Sequence, residues 1–117
     1  MSRDERQVSP WGGLDKYLPL SETTYYIMLM LVTPLHGYGV MQQVEEMTDG
    51  AVTIGPGTLY GAFSTLEKEG LIEMVRQEDR RKFYALTTKG EAVLRRQIER
   101  VALMMRSAGQ ILESERE

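Results

Sequence analysis

Two groups of residues in this sequence have types and spacings that could bind a nucleic acid. Arg80, Arg81 and Lys82 are consecutive, and such a row suits phosphate contacts or insertion of an arginine into a narrow minor groove. Earlier in the chain, small or polar residues recur at helical spacing. These residues are Gly57, Gly61, Ser64 and Lys68. A stripe of this kind lets a helix approach a second surface closely, and that surface is either DNA or a neighbouring helix.

The composition excludes most kinds of catalytic site. The 117-residue chain has no cysteine and one histidine, His36. Thiol catalysis, disulfides, cysteine-ligated zinc, a hydrolytic triad and a poly-histidine metal site are therefore excluded. His36 stands between two predicted helices, where a turn or helix-start role is expected. We predict no catalytic residue, no metal and no cofactor.

The net charge of −3 hides an uneven distribution. Residues 76–100 carry eight basic and four acidic groups, whereas residues 36–75 carry one basic and six acidic groups. Because salt screens each charge beyond about 8 Å, a partner responds to the local field rather than to the total. The basic block therefore permits DNA binding despite the acidic total.

Local signals predict four helices and a hairpin around these residues. Ser21 is a good N-cap, Pro34 prevents helix continuation, Pro56 suits a first helical turn, and Thr87 is a second candidate cap. The predicted helices cover 21–32, 38–48, 56–70 and 88–114; strands cover 71–76 and 82–86 around a five-residue link, and 52–54 is a candidate one-bridge strand.

This order of elements predicts a mainly α fold with a small β-hairpin, namely a winged helix-turn-helix with a long C-terminal dimerisation helix. The expected parts are an N-terminal arm (1–20), a DNA-binding domain (21–87) and the dimerisation helix (88–117). Leu59, Phe63 and Leu66 should face inward on the third helix. Its outer face then offers candidates for DNA contact, which are Gly57, Thr58, Tyr60, Gly61 and Ser64.

The last predicted helix carries an apolar seam at alternating steps of four and three. Its members are Leu94, Ile98, Val101, Met105, Ala108 and Leu112. This spacing is typical of a coiled coil, although the helix could instead fold back over its own core. Because so long a helix overhangs a small core, we predict a homodimer.

Flexible methionines could line a cavity between two such subunits. Met28, Met104 and Met105, with Trp11 of the arm, are candidate contacts for a small aromatic or cationic effector. The longest apolar run, 25–32, is too short to span a bilayer, and the first ten residues lack the apolar core of a secretion signal. We therefore expect no membrane partner and a cytoplasmic location.

Four motifs in order resemble the PadR family of bacterial transcriptional regulators. They are PLHGYG (34–39), GPGTLY (55–60), LEKEGLI (66–72) and RRKFYALT (80–87), followed by Gly90. The resemblance implies a dimeric winged-helix repressor that releases its operator when a small molecule binds. It also implies that Tyr38, Thr58, Tyr60 and the tip at 80–82 lie near DNA. Phe63 and Phe83 depart from the leucine and tyrosine usual at these positions.

Two functions follow from these observations. The first is a sequence-specific repressor whose two recognition helices enter successive major grooves about 34 Å apart, on an inverted-repeat operator. The alternative is a winged-helix protein–protein interaction module that does not bind DNA, with the acidic segment 36–75 repelling the phosphates.

Overall fold

The computed structural model describes residues 13–116. Within them a 3₁₀ turn, Asp15–Tyr17, precedes four α-helices and a three-stranded sheet. In chain order these are α1 (Glu22–Met30), β1 (Leu35–His36), α2 (Gly37–Met47), α3 (Pro56–Lys68), β2 (Ile72–Glu78), β3 (Arg81–Leu86) and α4 (Thr88–Arg116). The predicted fold class, a winged helix with a long C-terminal helix, is confirmed.

Helix α1 begins where its cap predicts and ends early. The Ser21 hydroxyl accepts a hydrogen bond from the Thr24 amide at 3.1 Å, as an N-cap should. The helix ends at Met30 instead of residue 32. The Leu31 amide closes a tight turn, and its carbonyl accepts a hydrogen bond from the Leu86 amide at 2.9 Å. The chain is thereby turned toward the sheet.

The sheet contains a strand that periodicity did not predict. Its order is β1-β3-β2, antiparallel throughout, with Leu35 paired to Tyr84 and His36 to Phe83. The candidate strand at 52–54 is wrong. The Val52 amide donates to the Thr48 hydroxyl at 3.0 Å, which keeps this segment against the end of α2 and away from the sheet.

The hairpin between β2 and β3 turns more tightly than predicted. Gln77 pairs with Lys82 and Glu78 with Arg81, so only Asp79 and Arg80 remain in the turn. Both have positive φ, 48° and 70°, which is the geometry of a two-residue type I′ turn. Backbone pairing of these four residues lengthens both strands and replaces the expected five-residue link.

The core gathers apolar side chains from all four helices and β2. Met28 is fully buried in this core because α1 is apolar nearly all round. The expectation that this methionine lines a cavity between subunits is therefore wrong. Leu94, the first predicted seam residue, is 3% exposed because the start of α4 packs on its own subunit. The remaining seam residues lie further along α4.

Two contacts fix α4 to the rest of the subunit. Gly90 lies against the backbone of Leu71, where a Cβ would collide with the carbonyl oxygen. Two turns further on, the buried Gln97 accepts a hydrogen bond from the Leu20 amide at 2.9 Å. The 29 residues of α4 extend about 43 Å at 1.5 Å per residue, and the portion beyond these contacts is largely exposed.

Among residues 13–116, no helix combines the length and apolar character needed to cross a membrane.

Candidate nucleic-acid interface

A cleft of about 440 Å³ lies between the start of α2, the outer face of α3 and the hairpin. It brings together residues that are far apart in sequence. Its lining consists of His36, Gly37, Tyr38, Tyr60, Phe63, Arg80, Arg81, Lys82 and Tyr84. Five of the predicted DNA-binding residues are in this list, namely Tyr38, Tyr60, Arg80, Arg81 and Lys82.

The start of α2 forms one wall of the cleft. His36 caps this helix, since its Nδ1 accepts a hydrogen bond from the Gly39 amide at 3.1 Å. The imidazole meets the Phe83 ring edge to face, with centroids 5.2 Å apart. Burial, and then the positive charge of Arg81, lower the pKa of His36 below its ordinary value. The imidazole is therefore neutral near pH 7, which the capping bond requires.

Two tyrosines flank the mouth of the cleft. Tyr38 of α2 is 55% exposed and Tyr60 of α3 is 53% exposed. The Tyr60 ring lies directly over Gly37, and it meets the Phe63 ring edge to face with 6.2 Å between centroids. Both phenols can therefore reach a partner outside the subunit.

The outer face of α3 is a ridge of small residues in open space. Leu59, Phe63 and Leu66 face the core, as predicted. A Cβ built at Gly57 or Gly61 would meet no atom within 4 Å. In the part of the chain that the structure describes, the stripe is thus not packed against a neighbouring helix. The exposed ridge, which we call the α3 ridge, consists of Gly57, Thr58, Gly61 and Ser64.

The hairpin tip carries its cations free of close ion pairs. Arg80, Arg81 and Lys82 are exposed, and none of them is within salt-bridge distance of a carboxylate in the described part of the chain. Behind the tip, the Arg76 guanidinium stacks on the Phe83 ring at 4.2 Å and binds Glu78 at 3.0 Å. This stack supports the wing beneath the tip.

The floor of the cleft is aromatic. Tyr84 packs on Phe63 with centroids 4.9 Å apart. Burial, and then the nearby Glu67 carboxylate, raise the pKa of the Tyr84 phenol above its ordinary value. The hydroxyl therefore stays protonated at neutral pH and remains a hydrogen-bond donor.

The cleft also contains residues that sequence reasoning did not assign to it. His36, Phe63 and Tyr84 line it, although the sequence marked them only as a turn, a core position and a strand residue. The signal that could have found His36 is its place within the PLHGYG motif, two residues before Tyr38. Trp11 lies outside the described residues.

The other predicted sites are distributed along α4. Met105 is 72% exposed and Leu112 is 64% exposed, while Ile98, Met104 and Ala108 are also exposed and Val101 is half-buried. Within residues 13–116, no group of three or more histidine, cysteine, aspartate or glutamate side chains could hold a metal ion.

A helical core with an exposed α3 ridge and an adjoining antiparallel wing defines the winged helix-turn-helix class of proteins. Residues 27–96 match the transcriptional regulator PadR-like family. The chain therefore belongs to this family, whose members are transcriptional regulators rather than enzymes.

Individual relatives agree with this assignment. The transcriptional regulator YqjI of Escherichia coli (strain K12) is 32% identical over 69 residues, which are 59% of this chain and 33% of YqjI. A PadR-like transcription factor from Bacteroides fragilis is 26% identical with a TM-score of 0.65, covering 76% of this chain and 88% of that one.

A transcriptional regulator from Clostridium thermocellum shares the fold, with a TM-score of 0.67 at 24% identity, covering 94% of this chain and 96% of that one. The stretches that match this chain span from about a fifth to two thirds of the length of the curated relatives.

Proposed function

We propose that this chain is a sequence-specific, double-stranded DNA-binding repressor that acts as a homodimer on an inverted-repeat operator. One observation carries the proposal: the α3 ridge lies next to the cleft, and the cationic hairpin tip lines the same cleft. Small residues permit α3 to enter a major groove, and the tip can contact the flanking phosphates at the same time.

The proposed dimer forms along the exposed part of α4. Because Leu94 belongs to the subunit core, the proposed seam begins at Ile98 and continues through Val101, Met105, Ala108 and Leu112. An apolar stripe of this length is unfavourable in water when unpaired. A twofold axis along α4 would set the separation of the two α3 helices near one turn of DNA, about 34 Å.

We also propose that the repressor is cytoplasmic. A small aromatic or cationic effector controls it by altering the pairing of the α4 helices. Met104 and Met105 remain candidates for contacting it because both are exposed on α4. A ligand that binds one pairing geometry more tightly by a few kcal/mol is sufficient to empty the operator. Titration of aromatic and cationic compounds into the operator complex tests this. An operator affinity that stays constant while a compound binds the protein contradicts it.

Selection of bound fragments from a random duplex pool tests the DNA-binding proposal. A palindromic consensus with half-sites one turn apart is expected. In affinity titrations of the selected duplex at several salt concentrations, replacing Arg80, Arg81 and Lys82 by alanine should lower the slope of log affinity against log salt by up to about three. Arg95→Ala is the control, since this arginine pairs with Glu91 on α4. No enrichment of any sequence contradicts the proposal.

The second candidate, a protein–protein interaction module, is favoured by the acidic surface of α2. Glu45 and Glu46 of α2, and Asp49 two residues after its end, are exposed, and like charge opposes the approach of phosphates. A chain with this function would bind no duplex at low salt, and alanine at the hairpin tip would change nothing in that assay.

A further inference from the structure

His36 has only one tautomer compatible with its hydrogen bond. Its Nδ1 accepts the Gly39 amide proton at 3.1 Å, so Nδ1 must keep its lone pair. The ring proton of the neutral imidazole therefore resides on Nε2. The lowered pKa of His36, caused first by burial and then by Arg81, keeps this neutral form dominant near pH 7.

The Nε2–H group of His36 is a donor without a partner inside the described chain. No hydrogen bond of residues 13–116 uses it, and it is not a buried unsatisfied atom, so it is accessible. The side chain lines the cleft beneath the hairpin tip. A fixed donor in such a position can bind an acceptor from outside the subunit.

The other groups around the cleft specify the kind of acceptor. Arg80, Arg81 and Lys82 supply positive charge, and the Tyr38 and Tyr60 phenols supply further donors. Among residues 13–116 no carboxylate lines the cleft, although Glu67 lies near Tyr84. Cations and neutral donors around an open volume match a phosphate oxyanion.

We propose that His36 is a direct ligand of one phosphodiester of the DNA backbone, donating its Nε2–H to a non-bridging oxygen beside Arg81 and Lys82. The inference rests on the proposed function, because DNA is the source of the phosphate. His36 then has two tasks: Nδ1 holds the first turn of α2 in place, and Nε2 fixes the backbone of the duplex against that turn.

Two substitutions separate these tasks. His36→Asn places an amide oxygen near the position of Nδ1, so it keeps the capping acceptor and removes the outer donor; asparagine is also a favourable N-cap. His36→Gln places an amide N–H near the position of Nε2 and loses the short capping geometry. The pair therefore divides stability from DNA contact at one residue.

The experiment uses the chain of residues 1–117 and measures its thermal unfolding and its affinity for the selected operator duplex. His36→Asn should keep its melting temperature and lose about tenfold in affinity, the effect of one hydrogen bond to a charged group. His36→Gln should melt earlier, while the folded protein binds within about threefold of wild type. Inorganic phosphate alone should leave the melting temperature unchanged if the ligand is the DNA backbone.

Operator duplexes with a single neutral methylphosphonate locate the contact. One position should weaken the wild type and have no effect on His36→Asn. Phe83→Leu, which removes the ring contact but keeps the imidazole, should retain sensitivity at that position. A wild-type protein that binds no duplex overturns the proposed function, and this inference with it. Operator binding by wild type and His36→Asn with equal affinity overturns the inference alone.

Discussion

The phenol of Tyr60 rests on the backbone of Gly37: a Cβ added to Gly37 would lie 2.7 Å from the Tyr60 hydroxyl oxygen and 2.8 Å from its ring. Real side chains do not approach so closely, so this contact exists only because residue 37 lacks a Cβ. It sets the distance between the start of α2 and the exposed face of α3. The orientation of Tyr60 at the mouth of the cleft depends on it.

Gly37→Ala should therefore displace Tyr60 and weaken operator binding, with a loss of about 1–3 kcal/mol in the free energy of unfolding from overpacking. Chemical denaturation and operator titration measure the two effects. The control is the same change in a Tyr60→Ala background, where the displaced ring is absent and the Leu59 Cδ2, 2.8 Å from the added Cβ, is the close neighbour that remains, so the loss should be smaller. An equal loss of stability in both backgrounds contradicts the contact.

Gly61→Ala should stabilise the protein and weaken DNA binding. A Cβ at residue 61 meets open space, and alanine is better than glycine in a helix by up to about 1 kcal/mol. The added methyl group, however, occupies the ridge proposed to enter the groove. Gly109→Ala on α4, also in open space, should stabilise equally without changing affinity. Equal operator affinity of Gly61→Ala and wild type contradicts the groove assignment.

Arg80→Gly should likewise trade affinity for stability. Arg80 has a φ of 70°, a left-handed conformation that costs a residue with a Cβ about 1–2 kcal/mol relative to glycine. The variant should unfold at a higher denaturant concentration, and its salt slope on DNA should fall by about one. Arg80→Ala loses the same charge without relief of strain, and should not gain stability. An unchanged salt slope in both variants argues against a phosphate contact at the tip.

Met105→Glu combined with Leu112→Glu should convert a dimer to monomers. Both side chains are mostly exposed on α4, so a single subunit tolerates the charges, whereas a paired seam would have to bury them. Sedimentation measures the mass, and circular dichroism should show unchanged helix content. Ser107→Glu with Gln110→Glu is the matched control on exposed positions. A monomeric wild type contradicts the seam.

Stability should decrease as the solution becomes mildly acidic, through His36. Burial, then Arg81, depress the pKa of this imidazole in the folded state, so the unfolded state binds more protons as the pH falls below about 6.5. The contribution of His36 to the free energy of unfolding is then constant above that pH and declines below it. Denaturant titrations across pH 5–7.5 measure the slope. His36→Asn should remove this contribution; a parallel profile in the variant contradicts it.

Features of the fold that depend on local chemistry were predictable. The cap at Ser21 and the core face of α3 follow from side chains within one or two turns of each other. The β1 strand does not, because its two residues are a strand only when Leu35 pairs with Tyr84, nearly fifty positions away. The assignment of Leu94 to the seam was wrong for the same reason. Its heptad position is compatible with a seam, but packing on residues distant in sequence decides its burial.

The candidate site was partly predictable from the order of elements. A helix of small residues followed by a cationic hairpin placed Tyr60 and Arg81 on one surface, and the structure has both in the cleft. The tautomer of His36 follows only from the folded geometry. Only the position of the Gly39 amide reveals which imidazole nitrogen is occupied, and sequence spacing carries no information on that geometry.

The anchoring of α4 has a mechanical consequence. The start of this helix is held by two contacts, Gly90 against Leu71 and Gln97 with Leu20. The exposed portion of α4 is therefore fixed in its angle to the core. In a pair of chains joined along the exposed portions, a small change in the crossing angle would swing each cleft as a rigid unit. A ligand that separates the two α4 helices slightly would thus move the two α3 helices away from the spacing of successive major grooves.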